Sequence, residues 1–129
     1  MKLKYTILYV EDVSKTLKFY EAAFGFSTRF LHEAGDYGEL DTGSTTLSFS
    51  SLALMTELGK TPGKASPKSP TFEIAFETDD VESWFDRAVN NGAKPIQAVQ
   101  QQPWGQYTSY VSDPNGFIVE ICSPVSTNN

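Results

Sequence analysis

Histidine and cysteine are almost missing from this chain. One of each, His32 and Cys122, occurs in 129 residues. A lone cysteine excludes an intrachain disulfide and suits a reducing, cytoplasmic setting. A lone histidine excludes a histidine-rich zinc or iron centre built from a single chain. The motifs HExxH, CxxC, GxSxG and GxGxxG are absent, and with them the zinc, redox, nucleophile and dinucleotide chemistries they support. No apolar run has the length of a membrane span. The opening "MKLKYTILYVEDV" lacks the apolar core and cleavage site of a secretory signal. Lys and Arg are few and scattered, and the formal net charge is -6. Without a basic stripe, nucleic acid and anionic membranes are not expected partners, whereas acidity leaves room for a cationic ligand.

What is present is an ordinary globular mixture, 40% apolar and 20% charged, of a length that fits one compact domain without staples. "KYTILYV" (4–10) is rich in β-branched and aromatic residues and predicts a strand. Asp12 follows as a helix N-cap, then Val13, Leu17, Tyr20 and Phe24 recur at helical spacing, and Gly25 stands at the stop. "STRFLHE", "YGELDT" and "TTLSFSS" predict strands separated by turns at "AGD" and "TGS". Residues 52–70 begin with a short apolar piece and become rich in Gly, Pro, Ser and Lys, the composition of a flexible linker. The order then repeats. "PTFEIAFET" is a strand, Asp79 and Asp80 cap a helix carrying Val81, Trp84, Phe85, Ala88 and Val89, and Gly92 ends it. "KPIQAVQQ", "YTSYVS" and "GFIVEICS" are strands, the last preceded by the turn "DPNG".

The chain therefore reads as β-α-β-β-β twice, residues 1–51 and 71–125, within a single domain of 1–129. "YVEDV" matches "ETDDV", "LSF" matches "VEI", and "YGE" (37–39) is paired with "WGQ" (104–106). One helix covers only one face of each sheet. In the last strand Phe117, Val119 and Ile121 form a uniformly apolar face suited to the helix, while Ile118, Glu120 and Cys122 share the other. Glu120 is either a solvated residue or part of a lined cleft, and its neighbours Ile118 and Cys122 favour the cleft. Glu73 repeats the pattern in "TFEIAFE". Two carboxylates in one hollow cannot both ionise cheaply. One pKa rises, or a cation neutralises the pair: a basic ligand group, a Lys or Arg, or a hard metal. An acid with a raised pKa can also act in acid–base catalysis.

"ILYVEDVSKTLKFYEAAFGF", "FEIAFETDDVESWFDRAVNNGA" and "VSDPNGFIVEICSP" resemble the vicinal-oxygen-chelate superfamily of glyoxalases, bleomycin-resistance proteins and extradiol dioxygenases. The resemblance implies an α+β fold of two βαβββ modules forming cup-shaped mixed sheets, with helices on the outer face. It also implies a homodimer. Metal-using members take ligands from positions that fall here on Tyr5, Ser48, Glu73 and Glu120, and only Glu120 keeps the family's ligand type. The expectation is a small-molecule-binding protein with no cofactor and no metal, holding a cationic or aromatic compound against Tyr5, Tyr9, Ser48, Glu73, Trp104 and Glu120. The alternative is a divergent lyase, isomerase or dioxygenase that uses a divalent metal on oxygen ligands, or Glu73 and Glu120 as catalytic acid and base. Tyr5 and Tyr9 can equally pack in a core, and Trp104 can cap the core or join a subunit contact. Tyr37 is taken as the repeat partner of Trp104, His32 as an ordinary strand residue, and Cys122 as a small buried hydrophobe.

Overall fold

The computed structural model describes residues 1–126. Its contacts divide the chain into two units, Met1–Lys64 and the residues from Ala65 onward, here module 1 and module 2. The division falls inside the stretch expected to be a linker.

Module 1 contains β1 (Tyr5–Val10), α1 (Val13–Phe24), β2 (Ser27–Leu31), β3 (Tyr37–Asp41), β4 (Thr46–Ser51) and α2 (Leu52–Glu57). Its sheet has the order β1-β4-β3-β2, with β1 parallel to β4 and the other pairs antiparallel. The signals that start and stop α1 act as expected. Asp12 Oδ1 accepts from the Lys15 N–H at 3.0 Å, and Gly25, at φ 74°, donates its N–H to the Glu21 carbonyl. Val13, Leu17, Tyr20, Ala23 and Phe24 are buried on one side of the helix. Tyr20 is fully buried, and its ring lies 5.1 Å from that of Phe49 on β4. Leu8, Val10 and Leu40 complete this core.

Module 2 contains β5 (Glu73–Glu77), α3 (Val81–Asn90), β6 (Lys94–Gln101), β7 (Tyr107–Ser112) and β8 (Ile118–Cys122). Its sheet, β5-β8-β7-β6, repeats the order and the strand directions of the first. Asp80 caps α3 through the Ser83 N–H at 3.1 Å. Val111, Val119 and Ile121 are buried, as are Val81 and Ala88 of the helix. This is the apolar side of the last strand expected to serve the helix. The "DPNG" turn is closed by Asp113, whose Oδ1 accepts from the N–H groups of Asn115 and Phe117, each at 2.9 Å.

The α+β class and the doubled βαβββ order hold. Three details differ from expectation. The start of the expected linker forms α2, capped by Ser51 Oγ, which accepts from the Leu54 N–H at 3.0 Å, and anchored by buried Met55. His32 lies just past the end of β2, where its Nδ1 accepts from the Ala34 N–H. The pairing of "YGE" with "WGQ" is displaced. Tyr37 stands opposite Ser50, and Thr108 stands opposite Cys122, the counterpart of Ser50, so Tyr37 corresponds to Thr108. The cause is length: β6 has eight residues where β2 has five, which leaves Trp104 in the turn that follows β6. Among the described residues no helix is long and apolar enough to cross a membrane.

Candidate functional site

Strand partners at one register position share a face, so the pairings assign every side chain to the helix side or the opposite side. In module 1 the side away from α1 carries three rows: Tyr5 with Thr46; Ile7 with Ser48 and Glu39; Tyr9 with Ser50 and Tyr37. Phe30 extends the Glu39 row onto β2, after a bulge at Arg29. Thr46, Ser48 and Ser50 are buried, whereas Tyr5 and Ile7 are almost half exposed.

The centre of this face is a polar network. The Tyr37 hydroxyl donates to Glu39 Oε2 at 2.8 Å. Arg29 gives Nε and Nη2 to Glu39 Oε1, each at 3.3 Å, and Nη2 also reaches the Thr46 hydroxyl on β4. Burial, offset in part by a hydrogen bond with Ser48, raises the Tyr37 pKa, and the Glu39 carboxylate raises it further. Ser48 Oγ also lies at the limit of hydrogen-bond distance from the Thr6 carbonyl, 3.5 Å. At the margin Lys60 Nζ donates to the Tyr9 hydroxyl at 3.2 Å and lies 5.3 Å from its ring centre. Lys4 Nζ is 5.8 Å from the Tyr5 ring centre.

In module 2 the side away from α3 carries Glu73 with Ile118; Ala75 with Glu120, Tyr110 and Gln97; and Glu77 with Cys122, Thr108 and Gln100. Glu73, Glu77 and Glu120 therefore share one face. Tyr110 donates its hydroxyl to Glu120 Oε2 at 2.8 Å. Among the described residues, the one cation at a matching register position is Lys94, opposite Ser112 on the outer strand β6. No ion pair among the described residues joins any of the three acids to Lys or Arg.

The titrating groups here are shifted first by burial and then by the neighbouring carboxylates. Glu73 is an exposed residue, yet its carboxyl pKa is raised, first by desolvation and then by the Glu120 charge. The Tyr110 phenol is pushed up to about 12, by desolvation first, then by its hydrogen bond to Glu120 and by the charges of Glu120 and Glu73. Burial, with Glu120 and Glu77, raises the Cys122 thiol. Cys122 is buried, as expected of a small hydrophobe, with Sγ 3.6 Å from the Phe76 carbonyl. An open depression of roughly 260 Å³ lies at the Glu73 end, lined by Pro70, Thr71, Phe72, Glu73 and Ile118.

The profile of the glyoxalase-like domain family matches residues 3–126. The chain belongs to this family. A Bacillus subtilis (strain 168) relative, "Uncharacterized protein YraH", is 26% identical over 127 residues, covering 94% of this chain and 97% of its own. A glyoxalase-related enzyme from Fulvimarina pelagi superposes with a TM-score of 0.84 at 20% identity, over 96% of this chain and 88% of its own. A glyoxalase/bleomycin resistance protein/dioxygenase family enzyme from Burkholderia phytofirmans PsJN has a TM-score of 0.77 at 23% identity, over 98% and 100% of the two chains. At these identities the structural likeness shows the fold alone.

Within the glyoxalase-like frame the six expected ligand residues separate into Tyr5, Tyr9 and Ser48 in module 1, and Glu73, Trp104 and Glu120 in module 2. Glu73 and Glu120 share a face as expected. Trp104 lies in the β6–β7 turn, 59% exposed, with its indole N–H bonded to Gln106 Oε1 at 2.8 Å. Divalent-metal binding can be tested on donor chemistry. Ser48 is buried, one oxygen of Glu120 already accepts a hydrogen bond from a phenol, and no three His, Cys, Asp or Glu side chains gather among the described residues. These donors do not fit a divalent ion within either module. Three central residues were missed from sequence: Arg29, Glu39 and Tyr110. The i, i+2 spacing of Tyr37 and Glu39 was the available signal for Glu39.

Proposed function

We propose that this glyoxalase-like protein binds a small organic cation without a metal, on the acidic, tyrosine-bearing face of module 2. The observation that carries this reading is the shared face of Glu73, Glu77 and Glu120 without a Lys or Arg partner. Carboxylates held in this way repel one another, as the raised Glu73 carboxyl reports. A guest of opposite charge relieves that repulsion and gains charge-assisted hydrogen bonds. Aromatic side chains nearby, Tyr110 above all, add contact area for a planar guest. The reading includes a cytoplasmic homodimer, which size-exclusion chromatography with light scattering tests separately.

The test is a titration of the purified protein with ethidium, a planar organic cation, and with anilinonaphthalene sulfonate, a planar anion. Ethidium should bind, weaken as salt rises, and lose affinity in a Glu73→Gln/Glu120→Gln double variant that keeps its thermal transition. Unchanged ethidium affinity in that variant removes both acids from the site. Tight manganese, iron or zinc, present at stoichiometric levels after purification without chelator, overturns the metal-free part. A second reading, acid–base catalysis by Glu73, is favoured by its raised pKa alone. It requires turnover that Glu73→Gln abolishes.

A further inference from the structure

Both modules contain an acid held by a tyrosine at the same level of the sheet, and in module 1 the chain itself supplies a cation to it. The Glu39 row of module 1 corresponds by register to the Glu120 row of module 2. Ser48 matches Glu120, and Glu39 matches Tyr110. The acid has changed strands, but in each module one carboxylate oxygen accepts a tyrosine hydroxyl at 2.8 Å.

The edge strands match as well. In module 1 Thr28 pairs with Leu40 and Phe30 with Glu39, and the register shifts at Arg29 between them. In module 2 Pro95 pairs with Val111 and Gln97 with Tyr110, and the register shifts at Ile96. Ile96 is thus the counterpart of Arg29. Module 1 sends a guanidinium from this bulge across β3, onto Glu39 and as far as Thr46 on β4. Module 2 has a half-exposed isoleucine at that position, and no Lys or Arg of the described chain pairs with Glu120.

We propose that module 2 binds the planar guanidinium or amidinium group of a small molecule on Glu120, in the manner in which Arg29 sits on Glu39. This rests on the organic-cation reading above and narrows it to one class of guest. The chemistry favours that class over a metal ion or a quaternary ammonium. The phenol of Tyr110 occupies one carboxylate oxygen, which leaves a site that rewards N–H donors in one plane. A quaternary ammonium has no N–H to give. Arg29 is the corresponding specificity residue of module 1, because it closes Glu39 to external cations.

Calorimetric titration with benzamidine, benzyltrimethylammonium and neutral benzamide tests the proposal. Benzamidine should bind the intact protein, and Glu120→Gln should weaken it by about tenfold or more. The other two compounds should bind far more weakly. Ile96→Arg should abolish benzamidine binding while the cooperative thermal transition persists, since an arginine from the bulge spans the sheet as Arg29 does. Arg29→Met should add a second benzamidine equivalent on Glu39, and it keeps the test alive should Ile96→Arg fail to fold. Equal, Glu120-dependent binding of benzamidine and benzyltrimethylammonium overturns the guanidinium proposal and leaves the organic-cation reading standing. Absence of Glu120-dependent binding by any cation, ethidium included, overturns both. Unchanged stoichiometry in Arg29→Met, or unchanged affinity in Ile96→Arg, overturns the equivalence of the two modules.

Discussion

Replacing Tyr110 with Phe isolates the contact on which the acidic face is organised. The ring is kept and one hydroxyl is lost, the one that donates to Glu120 Oε2 at 2.8 Å. Two routes give the size of the effect. A hydrogen bond to a charged acceptor contributes about 1.5–3 kcal/mol. Independently, the rise of the phenol pKa from 10.0 to about 12, caused first by desolvation and then by the hydrogen bond and charge of Glu120, corresponds to a ceiling of about 3 kcal/mol for all causes together, at about 1.4 kcal/mol per unit. Tyr110 is only partly buried, so solvent screening reduces both, and a destabilisation of roughly 1–2 kcal/mol at neutral pH is expected. The pH dependence has a definite sign. The folded-state pKa lies above the unfolded one, so the folded chain holds the proton more tightly between them. The stabilisation is complete below pH 10 and is lost as pH rises through about 12. Urea unfolding of both proteins should therefore show a gap that is constant at neutral pH and narrows through the alkaline range. Tyrosinate absorbance of the folded protein should lose one phenol titrating at about pH 12 in the variant. A gap that does not change with alkaline pH, or an unchanged number of phenols titrating near pH 12 in the variant, would refute the reasoning.

Gly116 sits at φ 98° in the "DPNG" turn, and a Cβ there would stand 2.5 Å from the Ala65 carbonyl oxygen. Gly116→Ala should cost roughly 2–4 kcal/mol in urea unfolding, through backbone strain and a clash that no side-chain rotation relieves. Asp113, 2% exposed, accepts from two backbone N–H groups in the same turn. Asp113→Ala should cost about 2–3 kcal/mol, and amide exchange should accelerate at Asn115 and Phe117. The raised carboxyl of Glu73 implies that its charge opposes folding once pH exceeds its folded-state pKa. Glu73→Gln should therefore raise the melting temperature at neutral pH and leave it unchanged in acid, where Glu73 is protonated. A loss of stability at neutral pH would contradict the assigned repulsion from Glu120.

The fold was legible because its determinants are local and used twice. Asp12 and Asp80 cap their helices, Gly25 closes one of them, and the alternation in "GFIVEICS" puts Val119 and Ile121 on the helix side. The same alternation places Glu120 away from the helix, and the doubled pattern places Glu73 beside it, so half of the acidic face is legible in the sequence. The other half depends on pairings between strands distant in sequence. Tyr110 meets Glu120 only because β7 and β8 fix that register. Arg29 reaches Glu39 only because a bulge shifts β2 by one residue, and nothing in "STRFLHE" announces a bulge. Helix α2 escaped notice because six residues carry too little periodicity to stand out from a Gly/Pro-rich surround, although Ser51 and Met55 were its cap and anchor. The mispairing of Trp104 with Tyr37 came from matching letters where the second hairpin is longer. Corrected by register, the repeat becomes more informative, because it sets Ile96 against Arg29 and Glu120 against Ser48. Two modules with one topology have distributed their charges differently: the first neutralises its acid with its own guanidinium, and the second does not. A stability argument alone would predict the same internal pairing in both modules, since carboxylates sharing a face without a cationic partner cost free energy. The cation site proposed for module 2 accounts for that cost being retained in one module only.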